Sequence, residues 1–325
     1  MSFEIPREKN PGKVAEVTLG ATPEQGGTRS HTVTIGGSTA LPFHFFEGEH
    51  PHPPAVAMEV FDKVPAKYPR SLLDEFQDVI DRPWEMARKC VSAYGAELIS
   101  VRLEGTHPEK GNKSAEEAVE LVKQVLRSVA VPVIVTGHSH FAKTNEVMKK
   151  VCEAAAGENC LINYVEKDNY KTIAAASIAY KHTLAAQSPI DVNLAKQLNI
   201  LLKDMNFPQE KIVMDPLTGA LGYGLEYTYS IMERIRIDGL SGDPMLAFPM
   251  LANPGYECSR VKEARVPEKD YPQWGSEDVR GAYWEIATAM SLLAAGADLL
   301  IMHHPRAVDA VKKKIREMRA KGGGE

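Results

Sequence analysis

The sequence predicts an α/β fold: a closed barrel of eight parallel strands and eight helices, preceded by an N-terminal extension that contains a β-hairpin. From residue 55 onward, eight short apolar runs alternate with eight amphipathic helical segments. This alternation is typical of parallel strands joined by right-handed crossover helices. Eight such units in about 270 residues favour a (β/α)8 TIM barrel. A doubly wound open sheet is the alternative, but no Gly-x-Gly-x-x-Gly motif follows the first predicted strand.

The predicted extension, residues 1–53, differs from the predicted barrel domain, residues 54–325, because it is rich in Gly, Pro, Thr and His. Within it, the runs 31–35 and 38–41 flank a Gly-Gly pair. A Gly pair supplies the positive φ angles that a two-residue hairpin turn requires. We therefore predict that these two runs pair as the hairpin.

The barrel elements follow from apolar periodicity and from signals at helix ends. The predicted strands are residues 55–61, 98–103, 131–136, 160–165, 183–186, 212–214, 245–251 and 299–302. The predicted helices are residues 83–94, 114–128, 143–156, 169–180, 191–205, 226–237, 276–295 and 306–320. Ser114 and Glu117 have the spacing of a capping box, and Gly157, Gly239 and Gly296 are predicted to end helices in the left-handed conformation.

The composition is that of an ordinary globular protein, since 44% of the 325 residues are hydrophobic and 25% are charged. The formal net charge of -5 argues against nucleic-acid binding, which usually goes with a basic excess. No run approaches the roughly 18 uninterrupted apolar residues of a membrane span. The first residues also lack the basic and then apolar pattern of a secretory signal. We expect a cytoplasmic protein that binds neither nucleic acid nor membrane.

The four cysteines are not spaced as ligands of a zinc ion or an iron–sulfur cluster, because no Cys-x-x-Cys pair occurs. They also are too few for a disulfide framework in a chain of this length. We expect reduced, buried thiols at Cys90, Cys152, Cys160 and Cys258.

The loops that follow the barrel strands are where a TIM barrel carries its function. The loop after the sixth strand, residues 215–224, contains three glycines, which let a backbone approach a ligand closely. Polar side chains also follow the second, fifth and seventh strands. The candidate ligand-binding residues are Thr106, His107, Gln187, Asp215, Leu217, Thr218, Gly219, Gly222, Tyr223 and Asn253.

A divalent metal site is a second interpretation of these loops, with His138, His140, Asp215 and His303 as ligands. The spacing favours packing or polar histidines instead, because there is no His-x-x-x-His pattern and no pair of carboxylates at the strand ends. There is also no Gly-x-Ser-x-Gly elbow and no P-loop. We expect a rather neutral barrel mouth with no metal and no catalytic residue, suited to cap a large, amide-decorated cofactor.

Residues 254–275 show little secondary-structure pattern. Loops longer than about 15 residues are usually functional or disordered. Because this one carries Tyr256, Tyr271 and Trp274, it can pack against something. It is expected to be a lid over its own barrel or a surface ordered by a partner subunit.

Several long motifs carry a family resemblance. Residues 24–30 (EQGGTRS), 34–37 (TIGG), 41–48 (LPFHFFEG) and 214–227 (MDPLTGALGYGLEY) resemble the small subunit of the corrinoid iron–sulfur protein. That subunit is similar to the delta subunit of the acetyl-CoA decarbonylase/synthase complex. The resemblance extends over essentially the whole chain.

The resemblance implies a TIM barrel in a heterodimer whose large subunit carries an iron–sulfur cluster and a corrinoid (cobalamin) domain. The pair would carry a methyl group from methyltetrahydrofolate, through a methyltransferase, to acetyl-CoA synthase in the reductive acetyl-CoA pathway. This chain would cap the cobalamin and supply no independent catalytic centre. The candidate ligand-binding residues would then contact the corrin.

Two alternatives stay open. The resembled family is related in fold to pterin-binding methyltransferases, which use Asp and Asn for the pterin, and Asn163, Asp215 and Asn253 are the comparable groups here. The chain is then a free-standing pterin-dependent methyltransferase. The other alternative is a metal-dependent barrel hydrolase that uses the metal set named above.

Overall fold

The computed structural model describes residues 6–322, so the first five residues of the predicted extension and the last three of the predicted barrel domain lie outside it. The strands are β1 (Glu16–Leu19), β2 (Val33–Gly36), β3 (Ala55–Phe61), β4 (Leu98–Arg102), β5 (Val133–Thr136), β6 (Leu161–Val165), β7 (Thr183–Gln187), β8 (Ile212–Asp215), β9 (Met250–Ala252) and β10 (Ala297–Met302). Across these described residues, none of the helices is long and apolar enough to cross a membrane.

The helices alternate with the strands of the barrel. They are α1 (Arg70–Phe76), α2 (Pro83–Tyr94), α3 (Ala115–Ser128), α4 (Phe141–Ala154), α5 (Tyr170–Tyr180), α6 (Val192–Asp204), α7 (Leu225–Leu240), α8 (Pro254–Arg260), α9 (Lys262–Arg265), α10 (Glu277–Ala294) and α11 (Pro305–Gly322). Short 3-10 turns occur at Pro23–Gln25, Glu104–Thr106, Gln209–Lys211, Glu268–Asp270 and Pro272–Trp274.

Strands β3 to β10 close into one barrel of eight parallel strands, in chain order, with β10 paired to β3. The predicted (β/α)8 TIM barrel is therefore confirmed. Alternate residues of each strand face inward and outward, as the two-residue period of a strand requires. Val56, Met58 and Val60 of β3 pack outward in the large core beneath the helices, whereas Ala55 and Ala57 belong to a separate core inside the barrel.

The N-terminal extension contains an antiparallel two-stranded sheet, as predicted, but with a different partner strand. β2 pairs with the earlier β1, and residues 38–41 form no strand. Gly36 and Gly37 do have positive φ angles, of 86° and 81°. Their lack of a side chain serves close packing instead of a turn, because a Cβ at Gly36 would lie 2.1 Å from the Ala15 carbonyl oxygen.

The two-stranded sheet closes the amino end of the barrel. Val17, Leu19 and Ile35 are at most 1% exposed and share a core with the inward-facing residues at the start of the barrel strands. We call this cluster the barrel plug; its barrel members are Ala55, Ala57, Leu98, Ile134, Leu161, Ala185, Val213, Leu251, Leu299 and Ile301. The division of the chain at residues 53 and 54 stays a prediction.

The seventh predicted strand is too long at its start. Only Met250–Ala252 is a strand, and residues 244–246 form a turn. The Asp243 side chain accepts a hydrogen bond from the Met245 backbone, which fixes the turn locally. Met245, Leu246 and Phe248 are nevertheless buried, so their apolar run reflects burial alone.

The helix-end signals were correct at most positions. Ser114 and Glu117 form the predicted capping box at the start of α3. Gly157 and Gly296 have the expected positive φ, 87° and 111°. The prediction for Gly239 is wrong, because α7 continues to Leu240; the missing side chain at Gly239 instead lets the helix approach the backbone of Leu246.

Candidate functional site at the carboxyl end of the barrel

The inside of the barrel changes from apolar to polar along each strand. The inward-facing residues at the start of the strands form the barrel plug, and two residues further along each strand the side chains are polar. We call this second set the polar layer. It consists of Glu59, Ser100, Thr136, Asn163, Gln187, Asp215, Asn253 and His303, together with Arg102, which lies two residues beyond Ser100; all are at most 8% exposed. It lies at the end of the barrel where TIM barrels bind ligands.

Glu59 is at the centre of the polar layer. One carboxylate oxygen, Oε2, accepts a hydrogen bond of 2.8 Å from Arg102 Nε and one of 3.0 Å from His303 Nε2. The other, Oε1, accepts from Ser100 Oγ at 2.9 Å and from Asn253 Nδ2 at 3.4 Å. Residues from different parts of the barrel therefore converge on a single buried carboxylate.

The ionisation of this cluster follows from its contacts. Burial opposes a charged Glu59, but Arg102 and His303 more than offset burial, so the pKa of Glu59 falls to about 2. Burial lowers the pKa of His303, which therefore is neutral and donates its Nε2 proton to Glu59. The sequence-based expectation of a neutral barrel mouth is wrong, because Glu59 and Arg102 form a buried ion pair there.

Arg102 links the buried pair to the rim. Its guanidinium lies 3.9 Å from the centre of the Tyr256 ring, a cation–π geometry. The Tyr256 hydroxyl donates to Glu104 Oε1 at 3.4 Å, and Lys110 also pairs with Glu104. Charge therefore alternates in sign from Glu59 at the barrel axis to Lys110 at the surface.

Asp62 follows β3 and is the second buried carboxylate at this end. Its Oδ1 accepts from the Gly105 backbone at 2.7 Å, and its Oδ2 is buried with no hydrogen-bond partner among the described residues. Burial raises the pKa of Asp62 to about 6. Gly105 must lack a side chain, because a Cβ there would lie 2.6 Å from Asp62 Oδ2.

Asp215 ends β8 and lies among neutral polar groups. Burial raises its pKa to about 6, although the hydrogen bond from the Leu217 backbone, the positive charge of Arg102 and the Asn163 side chain oppose the rise. The register pairs Asp215 with Gln187 on the neighbouring strand. Next to Gln187, the buried Ser188 hydroxyl has no partner among residues 6–322. These groups form a patch of mixed donors and acceptors.

The glycine-containing loop after β8 is held by its own hydrogen bonds. Leu217 has a positive φ of 67°, and its carbonyl accepts from Thr228 Oγ1, which in turn accepts from the Gly219 backbone at 2.8 Å. Thr218 Oγ1 accepts from the Asn253 backbone at 2.8 Å. The backbone N–H of Gly219, proposed from the sequence as a ligand donor, is thus already used.

The tip of this loop is exposed and apolar. Leu221 and Tyr223 are 37% and 52% exposed, and the Tyr223 hydroxyl donates to Glu263. The Trp284 indole N–H holds the tip by donating to the Leu221 carbonyl at 2.9 Å. Gly222 has a φ of 73°, and a Cβ there would meet only the edge of the Trp284 ring, at 3.7 Å. The tip is therefore held in place by hydrogen bonds at the edge of the barrel mouth, where its exposed side chains can contact another molecule.

The segment 254–275, expected to be irregular, is largely helical. Asn253 caps α8 by accepting from the Tyr256 backbone at 3.0 Å, and Pro254 occupies the first helical turn. Two short 3-10 turns complete the segment, and there Tyr271 stacks on Trp274 at 4.2 Å. α8 contacts β10 and α10, so the segment covers one side of its own barrel mouth.

The histidines do not assemble the metal set considered from the sequence. His138 Nε2 lies 2.9 Å from Thr106 Oγ1, and His138 Nδ1 accepts from the His140 backbone. His303 is bound to Glu59, as described above. Over the described part of the chain, no three or more His, Cys, Asp or Glu side chains form a possible metal site.

The predicted candidates divide into two groups. Most of them line the polar layer or its supports: Thr106, Gln187, Asp215, Leu217, Thr218, Gly219 and Asn253. His107 is half-buried at the mouth, with its ring 4.9 Å from that of His138, whereas Gly222 and Tyr223 lie outside on the rim. Their role as ligand contacts stays a prediction.

Sequence reasoning missed the charged residues Glu59, Arg102, Asp62 and Glu104. A signal was present, because Glu59 lies within a predicted apolar strand and Arg102 within the next one. Charged residues in buried strands are almost always paired. Applied to the two neighbouring strands, that rule would have predicted an ion pair between Glu59 and Arg102.

The family of the chain follows from its relatives. The model of the CO dehydrogenase/acetyl-CoA synthase delta subunit matches residues 16–311. A relative from Archaeoglobus fulgidus, named acetyl-CoA decarbonylase/synthase complex subunit delta, is 41% identical over 99% of this chain and 72% of that protein. A relative of the same name from Methanocaldococcus jannaschii is 35% identical over 99% of this chain and 78% of that protein.

The chain belongs to this delta-subunit family. The family resemblance inferred from the sequence motifs is thereby confirmed.

Solved barrel structures resemble this chain in fold. Dihydropteroate synthase from Xanthomonas albilineans matches with a TM-score of 0.57 and 16% identity, over 84% of this chain and 95% of that one. The enzyme from Thermus thermophilus matches with a TM-score of 0.54 and 17% identity, over 93% and 99%. At such identities the likeness shows the fold alone.

Proposed function

We propose that this chain is the small subunit of a heterodimeric corrinoid iron–sulfur methyl carrier. It caps the cobalamin held by the large subunit while a methyl group passes from methyltetrahydrofolate, by way of a methyltransferase, to acetyl-CoA synthase in the reductive acetyl-CoA pathway. The names of its relatives support the pathway. The carboxyl end of the barrel supports the capping role, because it is a polar surface with an exposed apolar rim.

The polar layer fits an amide-bearing macrocycle. A corrin ring carries amide side chains, which need both donors and acceptors. Among the described residues, Ser188 Oγ is buried without a hydrogen-bond partner, and Asp62 Oδ2 has none either, although Lys113 Nζ lies 4.0 Å away. Asn163 and Gln187 add amide groups beside Asp215. These residues would hold the corrin amides, and the exposed side chains at the loop tip would cover its edge.

When bound, the corrinoid supplies a cobalt centre that takes up and gives away the methyl group. This chain excludes water from that face, since the barrel plug closes the opposite end and the exposed tip of the loop after β8 is apolar. The cap must also move aside, because two partner proteins need the same face in turn.

We propose no catalytic residue in this chain. The charge of Glu59 is neutralised by Arg102, and the lowered pKa of His303 leaves it an uncharged donor. A group that acts as a general acid or base must reach the reacting atoms, whereas this pair is enclosed at the barrel axis. The ion pair therefore shapes the surface that meets the cofactor.

We place the iron–sulfur cluster in the large subunit and the complex in the cytoplasm. Cluster ligation needs thiolates. All four cysteines are buried, and burial raises the pKa of Cys90, Cys152 and Cys160 to about 12 and the pKa of Cys258 further still. The geometry supports this placement, because within the described residues no three or more His, Cys, Asp or Glu side chains come together as a possible metal site.

A second candidate function is a free-standing pterin-dependent methyltransferase. One observation favours it: Asn163 and Asp215 are both buried in the polar layer, near enough that the Asn163 side chain lowers the pKa of Asp215, and such a pair can bind the edge of a pterin. Titration of the isolated full chain with methyltetrahydrofolate separates the two functions. Binding and methyl transfer without any partner support the second and contradict the first.

The capping proposal is tested with a matched pair of glycine variants in the co-purified complex. Gly222 and Gly26 both have positive φ and room for a side chain, but Gly222 lies on the rim and Gly26 in the N-terminal extension. We expect Gly222→Trp to reduce corrinoid retention and methyl transfer at least about tenfold, by wedging the two surfaces apart. Gly26→Trp should leave both unchanged. Equal behaviour of the two variants contradicts the proposal.

A further inference from the structure

A second concave site lies at the amino end of the barrel, on the side opposite the polar layer. We call it the amino-end cleft. It opens between the turn that contains Phe43 and Phe45, the segment at His50, and the start of β10. Its empty space is about 420 Å³ when the open solvent at its mouth is included. It uses the motif at residues 41–48, which the capping role does not involve.

Arg236 lies at the wall of the cleft with an incompletely satisfied guanidinium. Its side chain is 3% exposed, and Nη2 donates to the Gly296 carbonyl and to Asp298 Oδ2, both at 2.6 Å. Its Nε is buried and has no hydrogen-bond partner within residues 6–322. A buried, charged donor without an acceptor is costly, so it indicates a missing partner.

Gly296 keeps the space beside that donor open. A Cβ on Gly296 would lie 2.9 Å from Arg236 Nε, which is too close for any side chain. Gly296 also has a φ of 111°, a conformation that side chains rarely adopt. Glycine at this position therefore leaves both the guanidinium edge and the adjoining cleft free.

His50 adds a second unsatisfied group. Its Nδ1 lies 3.2 Å from Ser38 Oγ, whereas its Nε2 is buried without a partner in the described chain. Arg319 lies beside it and donates to the His50 carbonyl at 3.0 Å. Burial lowers the pKa of His50, and so do the charges of Arg236 and Arg319; Asp298 opposes the shift and His44 adds slightly to it.

The charges of the cleft select a monoanion. Among residues 6–322, the ionised side chains that line it are two arginines, Arg236 and Arg319, and one carboxylate, Asp298, which leaves one positive charge. The remaining wall is apolar: Phe45 packs edge-on against His50 at 4.9 Å, and Phe43 lies beside Phe45 at 6.3 Å. A ligand with a single negative charge and a hydrocarbon body matches both features.

We propose that the amino-end cleft binds a small organic monocarboxylate. The carboxylate accepts hydrogen bonds from Arg236 Nε and His50 Nε2, Arg319 borders it, and the hydrocarbon part lies against Phe43 and Phe45. This site is independent of the corrinoid cap, since the barrel plug separates the two ends of the barrel.

The proposal is tested by NMR on the full chain with ¹³C-labelled histidine, using benzoate as the probe and His50→Asn to assign the His50 signal. We expect benzoate to shift that signal and to raise the pKa of His50, because an anion stabilises the imidazolium. Benzamide, which has the same shape without the charge, should bind at least about tenfold more weakly.

Variants define the binding groups. Arg236→Gln should weaken benzoate binding at least about tenfold, and Arg319→Gln, at a half-buried position of α11, at least about threefold. Arg316→Gln, exposed on the same helix and outside the cleft, is the control and should bind as the unsubstituted chain does. The proposal is overturned if benzoate leaves His50 unshifted, if benzamide binds equally well, if Arg319→Gln has no effect, or if inorganic phosphate displaces benzoate at equal concentration.

Discussion

The two ends of the barrel are built from the same eight strands but do opposite things. At the amino end, the inward-facing side chains are apolar and form the barrel plug with β1 and β2. At the carboxyl end, the next inward-facing side chains form the polar layer around a buried ion pair. The amino end stabilises the fold, and the carboxyl end carries the polar and charged side chains of the candidate site.

This contrast shows how the fold remains stable although the buried polar groups of the site contribute little to stability or reduce it. Buried ion pairs contribute little to stability, and unpartnered polar groups reduce it. The carboxyl end contains both, in Glu59 with Arg102 and in the buried Ser188 hydroxyl, which has no hydrogen-bond partner among the described residues. The barrel plug and the outer core supply the apolar burial that offsets this cost. Substitutions at the two ends should therefore have different signatures.

The largest effect is expected at Glu59. Glu59→Gln removes the charge that balances Arg102 and should lower the free energy of unfolding by about 3–5 kcal/mol, measured by chemical denaturation. The double variant Glu59→Gln with Arg102→Met should recover much of this loss, because no uncompensated charge remains. Neutralising Asp74 of the exposed pair with Arg70 is the control, expected to cost at most about 1 kcal/mol. A Glu59→Gln variant as stable as this control contradicts the account.

The next effect is expected in the barrel plug. Ile35 is fully buried there, and Ile35→Ala should cost about 2–4 kcal/mol of unfolding free energy through lost burial and a residual cavity. Ile35→Val should cost only about 1 kcal/mol. Neither variant should alter corrinoid retention by the folded complex. If either did, the two ends would not be functionally separate.

A smaller, pH-dependent effect is expected at Asp215. Its pKa of about 6 in the folded chain lies above the 3.8 of an unperturbed Asp, so the folded state holds the proton more tightly. The stability that this provides is complete below about pH 3.8 and is lost as the pH rises through 6. Asp215→Asn should therefore gain stability relative to the unsubstituted chain between about pH 4 and pH 7, by up to about 3 kcal/mol. Unfolding curves that show the same difference between the two proteins at both ends of this pH range would contradict the shift.

The barrel could be predicted from the sequence because each of its elements has a local signal. Apolar strands alternate with helices that have capping patterns, and the start of α2 and the Ser114 cap were both located correctly. For the N-terminal sheet, the sequence predicted an antiparallel pair of strands but not which strand pairs with β2. The Gly-Gly pair indicates positive φ but does not distinguish a hairpin turn from close backbone packing. The pairing is also distant in sequence, because Thr18 of β1 lies 16 positions before its partner Thr34.

The sequence predicted that the candidate site lies at the carboxyl ends of the strands, but it did not predict the buried ion pair there. Asp215 and Asn253 lie at strand ends, where the loop rule finds them. Glu59 and Arg102 are 43 residues apart, and only barrel geometry brings them together. The hydrogen bonds that use the Gly219 backbone likewise depend on Thr228 in the next helix. Pairing across strands is tertiary information, which a local pattern does not contain.

Hydrogen exchange of the proposed heterodimer, measured with and without bound corrinoid, tests the central claim most directly. The account predicts that the corrinoid slows exchange in the loop at residues 215–224 and leaves β1 and β2 unchanged. Protection confined to β1 and β2, or absent from residues 215–224, would contradict the claim that the carboxyl end of the barrel covers the corrin.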